Sequence, residues 1–187
     1  MRTSEGGAAL GREAERPGDA PRAHVGGSSS EVGRPPAGVR YAPALTLREA
    51  RALYFQHGGF DERTYAERWV TLRVAGLPLL GFPNSAARVR ALRLHDLHHV
   101  LTGFDTSWTG EGEIGAWELA SSCRDHWVAW ALNFSAALIG LCIAPRRVAR
   151  AFRRGLRERN LYDVEFSDAL LDETLGAARE RLGIVAA

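Results

Sequence analysis

Within His95-Asp96-Leu97-His98-His99, two imidazoles stand four positions apart, with a carboxylate beside the first. On a helix, residues i and i+4 lie one above the other with Cβ atoms roughly 5–6 Å apart, so His95 and His99 can reach one metal ion together. His98 points away from their shared face and is not expected to bind. A further ligand must come from elsewhere, and the next acid-rich segment is Thr109-Gly110-Glu111-Gly112-Glu113. Two imidazoles with carboxylates suit a divalent metal, with zinc the leading expectation and iron(II) or manganese(II) equally compatible with such ligands. The plainer alternative is a histidine-rich surface turn, with both glutamates drawn to the positive end of a helix dipole.

Asp96 is rotated by one residue step, about 100°, from His95. It can therefore bind at the edge of the site, orient a ligand or act as a base. The layout parallels the helical His-Glu-x-x-His arrangement, in which the middle acid is the general base of a metal-bound water. His24 falls in an N-terminal tail and His57 at a helix end, so neither is expected to act. His126, beside Asp125, could reach a second site, although a hydrogen-bonded structural histidine is the simpler reading.

The elements that must hold these groups read as helices. Thr46-Leu47-Arg48-Glu49 is a capping box, and Gly58-Gly59 ends the helix it opens. Asp61 begins a second helix through Tyr65, Trp69 and Leu72, although Val70 to Val74 also alternates like a strand. Pro78 and Gly81-Phe82-Pro83-Asn84 break it. A third helix starts near Asn84 or Ser85 and runs to Gly103, carrying the histidines, with Leu94, Leu97 and Leu101 along one stripe. A long helical segment is expected from Glu111 to about Ala144, a fifth helix over Arg146 to Arg159, and a last one capped by Ser167. The class is all-α: a single multi-helix domain with a metal site between two consecutive helices.

Residues 1–42 are rich in Gly, Ala, Pro, Ser and Arg without aliphatic periodicity and are expected to form a disordered tail, leaving 43–187 as the helical metal-binding domain. The tail has the composition of neither a secretory signal nor an organellar transit peptide. A net charge of +2 gives no reason to expect nucleic acid as a partner. Every one of the 24 basic residues is arginine, so no Schiff-base lysine is available. Cys123 and Cys142 match no zinc motif and read as buried free thiols of a reducing compartment, pointing to a cytoplasmic location.

These residues resemble the coenzyme Q (ubiquinone) biosynthesis protein 4 family, whose metal motif is His-Asp-x-x-His, eleven residues and Glu. Here His95, Asp96 and His99 are followed by the eleven residues Val100 to Gly110 and then Glu111. Trp117-Glu118 occupies the places of the family's aromatic residue and second glutamate. An alternative alignment through Gly112-Glu113-Ile114 would select Glu113, but it needs a two-residue insertion and loses the Trp117-Glu118 match. Asn160-Leu161-Tyr162 and the ending Ala178 to Ile184 resemble the family's C-terminal segment, so the likeness spans about residues 90–184. It implies metal ligands His95, Asp96, His99 and Glu111, with Asp96 and Glu118 as candidate catalytic groups. It also implies C1 decarboxylation, with or without oxidation, of a polyprenylated hydroxybenzoate in quinone synthesis, alongside other enzymes of that pathway. A non-catalytic prenyl-lipid scaffold and a small metallohydrolase are the competing functions.

Trp127 to Ala144 carries no charge, but Asn133, Ser135 and many alanines favour a core or interfacial helix over a membrane span. Arg146, Arg150, Arg153 and Arg157 follow on one helical face with Val148, Phe152 and Leu156 on another. Such a helix can lie on anionic lipid, at the inner face of a membrane, or simply present a solvated arginine face. An apolar groove beside the long helix would suit a polyprenyl tail.

Overall fold

The computed structural model describes residues 40–59, 61–74 and 77–185; the tail expected over 1–42 falls almost wholly outside them. The described chain is helical apart from one hairpin. Helix α1 (Leu47–Gly58) begins at the capping box, where Thr46 accepts from the Glu49 amide and Glu49 reaches back to the Thr46 amide, and it ends at Gly59 in the left-handed conformation. A 3-10 turn at Glu62–Tyr65 leads into an antiparallel hairpin of β1 (Trp69–Val74) and β2 (Leu77–Pro83), registered from Trp69 opposite Pro83 to Val74 opposite Leu77, with an irregularity at Leu72/Arg73. The helix expected through Trp69 and Leu72 is therefore a strand: the alternation of Val70 to Val74 and the prolines and glycine that follow favour pairing over helical propagation.

Helix α2 (Ala86–Thr102) is capped by Ser85 and closed by Gly103, and it carries the histidine cluster in its last two turns. The expected Glu111–Ala144 helix is two: α3 (Trp108–Ser121) and α4 (Trp127–Ile143). Between them Ser122 and Arg124 adopt positive φ, and the corner is held by Asn160, whose amide donates to the Ser122 carbonyl at 2.9 Å. Pro145 supplies the first turn of α5 (Pro145–Gly155). The expected final helix is likewise divided, Ser167 capping the short α6 (Asp168–Leu171) and Thr174 capping α7 (Leu175–Leu182).

Leu47, Leu94, Leu97, Leu101, Trp117 and Leu161 form the centre of one core shared by α1, α2, α3 and the C-terminal segment. Each large apolar side chain buried there contributes roughly 1.5–3 kcal/mol. Helices α3 and α4 cross so closely that the Cα atoms of Gly112 and Gly140 face each other with no room for a side chain. The C-terminal segment returns to the start of the domain: Leu47 N–H donates to Glu173 O (2.9 Å) and Leu175 N–H to Leu45 O (2.7 Å).

Candidate metal centre

His95 and His99 project from successive turns of α2 toward Glu111 in the first turn of α3. Their Nε2 atoms lie 3.2 Å apart. Glu111 Oε2 is 3.5 Å from His95 Nε2, and Oε1 is 3.4 Å from His99 Nε2. These three side chains are the group that can hold a metal ion among the described residues.

The opposite nitrogen of each ring fixes its tautomer. His95 Nδ1–H donates to Glu118 Oε1 at 2.8 Å, and His99 Nδ1–H donates to the Phe104 carbonyl at 2.9 Å. With both rings neutral, as metal binding requires, each imidazole turns an Nε2 lone pair toward the same space as the Glu111 carboxylate. Such a convergence of acceptors calls for a cation, and the carboxylate behind His95 is the partner that metal-binding histidines use to set ring orientation and raise basicity. Tyr54 stacks on His99, centroids 5.5 Å apart.

Glu118 is fully buried one heptad after Glu111. Its Oε1 also accepts from His98 Nδ1–H (2.7 Å), and Oε2 accepts from Tyr162 O–H (2.6 Å) and the Asn133 amide. Four donors fill the acceptor capacity of one carboxylate. Burial would raise its pKa, but His95 and His98 hold it well below the usual range. Glu118 therefore positions both rings. His98 is not a ligand: its Nε2 accepts the Leu161 amide at 2.9 Å, and burial lowers its pKa, so the ring stays neutral.

Glu111 is only partly buried, its side chain about a third exposed; desolvation would raise its pKa, yet the two facing imidazoles hold it far below the carboxylate range. His95 is shifted the other way: desolvation works against its charge, but Glu118 and Glu111 raise its pKa well above the ordinary value. Without a metal, a proton serves as the cation there.

Glu113 is engaged by Arg147 in a two-pronged pair, Nη2–Oε2 2.6 Å and Nε–Oε1 3.0 Å, and takes no part in the cluster. Asp96 stands outside the three-ligand group. It accepts from the Tyr65 hydroxyl, and burial raises its pKa even though His95 and His99 are near enough to act in the opposite sense. His57 stacks on Tyr41, and His126 Nε2 donates to the Tyr162 carbonyl at 3.3 Å. Cys123 is buried, its thiol pushed up to about 12 by desolvation, whereas Cys142 is exposed, not buried as expected, because its face of α4 points outward.

Tyr162, Asn133 and the Phe104 carbonyl complete the site and are not identifiable as parts of it from local spacing. The available signal was Asn133, an amide inside an uncharged run, since a buried polar side chain requires a partner.

An apolar groove of about 420 Å³ opens between α3, α4 and α5, walled by Leu119, Phe134, Leu138, Leu141, Val148 and Phe152. Helix α4 is inverted relative to an ordinary amphipathic helix. Its buried residues are mostly small, Val128, Ala129, Asn133, Ala137 and Gly140, while Trp127, Trp130, Phe134, Leu138, Leu141 and Ile143 face out. Among the described residues, no helix is long and apolar enough to cross a membrane. No protein-family model matches the chain, and no curated protein matches it significantly.

Proposed function

We propose that this chain is a divalent-metal enzyme of quinone biosynthesis that removes the C1 carboxyl group of a polyprenylated hydroxybenzoate. The observation that carries the metal reading is the convergence of His95 Nε2, His99 Nε2 and the Glu111 carboxylate within 3.2–3.5 Å, with both Nδ1 atoms already satisfied. Those separations fit the edge, about 3.3 Å, of a tetrahedron built with Zn–N bonds of about 2.0–2.1 Å. Three converging ligands, the number found among the described residues, are the count of a catalytic rather than a structural zinc site.

In the reaction the C1–carboxyl bond breaks, CO₂ departs, and the electron pair left on the ring carbon takes up a proton. A bound metal would supply Lewis-acid stabilisation of the charge that develops on the substrate oxygens. Glu118 and the Phe104 carbonyl orient the two imidazoles before substrate arrives. Asp96 is the candidate proton-transfer group: burial raises the pKa of its carboxyl, and the Tyr65 hydroxyl fixes its orientation. The apolar groove suits the prenyl tail, each buried methylene contributing about 0.8 kcal/mol. The outward apolar face of α4, followed by exposed Arg146, Arg150, Arg153 and Arg157, suits an anionic membrane surface where such a substrate resides.

The filled acceptor positions of Glu118 favour a second reading, a prenyl-lipid carrier in a quinone-synthesis complex whose metal only joins α2 to α3. Release of labelled CO₂ from a carboxyl-labelled prenylated hydroxybenzoate by metal-loaded protein decides between them. For the enzyme, Asp96→Asn is expected to slow turnover by about 10²–10⁴-fold, with His99→Ala and Glu111→Ala inactive. Tight binding of the prenyl lipid without CO₂ release would establish the carrier instead. Comparison of air with argon shows whether dioxygen is consumed.

A further inference from the structure

A second cavity, about 830 Å³, lies against the face of α2 turned roughly half a circle from His95. Its volume falls within the range of small-molecule sites. Its walls include Tyr65, Arg90, Arg93, His126, Tyr162 and Phe166. Arg90 and Arg93 are neighbours at i and i+3, an arrangement of like charges that costs helix stability unless something between them is negative. Among the described residues, neither has an acidic partner.

The Arg93 guanidinium lies over the rings of Tyr65 and Phe166, 5.4 Å from each centroid. Ring contact holds the guanidinium plane while its N–H edges stay free to donate. Of the acids at the rim, Asp163 is taken by Arg124 at 2.9 Å, and Glu165 forms no ion pair with Arg90 or Arg93. Two of the wall residues also reach back toward the metal centre, Tyr65 through Asp96 and Tyr162 through Glu118.

We propose that this cavity is a second ligand site, specific for an oxyanion, carboxylate or phosphate monoester, gripped by Arg90 and Arg93. The guanidinium fork of Arg93 matches two oxygens of such a group, and the aromatic walls accept an apolar or ring-bearing body attached to it. The site is independent of the decarboxylase reading and stands or falls separately from it.

The test is a calorimetric titration of the metal-loaded full chain with inorganic phosphate and with benzoate, paralleled by sedimentation with phosphatidylcholine vesicles containing or lacking phosphatidic acid. Arg90→Gln and Arg93→Gln are each expected to weaken binding by about tenfold or more, the loss of one charge-assisted contact. Arg90 is exposed, so R90Q keeps the fold even where R93Q loses ring packing. Weakened binding of the soluble probes identifies a free oxyanion ligand, and weakening confined to phosphatidic acid vesicles identifies a lipid-borne one. Absence of saturable binding of every probe overturns the site. So does anion binding that survives both arginine substitutions and disappears in H99A, which would place the anion on the metal.

Discussion

Glu118 accepts four hydrogen bonds away from solvent, so its replacement reports on everything it holds. In Glu118→Gln, an NH₂ group must face donors already in place, and the His95 ring loses the charge behind it. Metal affinity, measured by competition with a chromogenic chelator, should fall about 10–100-fold. In the same assay Glu111→Gln should weaken binding strongly, while Glu113→Gln leaves affinity unchanged and removes about 1 kcal/mol of stability through the partly exposed Arg147 pair. The pH dependence follows from opposed shifts. Glu111 and Glu118 have depressed folded values, so their stabilisation is full above about pH 4.3 and is lost as pH falls through those values. His95 has a raised value, so its stabilisation is full below about pH 6.5 and is lost as pH rises through that value. His98, whose folded value is lowered, costs stability as pH falls below about 6.5, so chelator-treated protein should melt highest toward the upper end of the window between about pH 4.5 and 6.5, whereas metal binding, which needs neutral imidazole, should strengthen upward through that window. His95, His99 and Glu111 were legible because one helical turn and one short loop suffice to unite them. Tyr162 and Asn133 were not, since nothing in local spacing says that residues 44 and 15 positions away will meet Glu118.

At the scale of elements, caps announced themselves: Thr46, Ser85, Gly103 and Ser167 all stand where side-chain oxygens or a left-handed turn end a helix. The break after Ser121 did not. Ser122 and Arg124 accept positive φ without being glycine, and their corner is stabilised by Asn160 from a distant segment, so tertiary contact overrides local preference. The hairpin was obscured for the opposite reason, because a short apolar stretch satisfies both periods until its pairing partner is known. The α3–α4 crossing provides a direct test. A Cβ added at Gly112 would lie 2.6 Å from Gly140 Cα, so Gly112→Ala must push the helices apart. Urea denaturation should show a loss of about 1–3 kcal/mol.

Over the whole molecule, the large side chains of α4 point outward and the small ones inward, a distribution that hydrophobicity alone does not reveal. The sequence shows that residues 127–144 are uncharged; only packing against Gly112 and Gly115 on α3 shows which stripe is spent on the core. Phe134 and Leu138 are 64% and 54% exposed. Phe134→Asp with Leu138→Asp should leave metal content intact and shift stability by no more than about 0.5 kcal/mol per site. Sedimentation with anionic vesicles should nevertheless be largely lost. The bond from the Leu161 amide to His98 Nε2 has a further reach. Its proton is locked inside the core by a ring that shares its other partner, Glu118, with the metal-facing His95, so loosening anywhere along that chain exposes it to solvent. The lifetime of this one deuterium-exchangeable amide in heavy water is thus a built-in gauge of how firmly the C-terminal segment clasps the histidine helix.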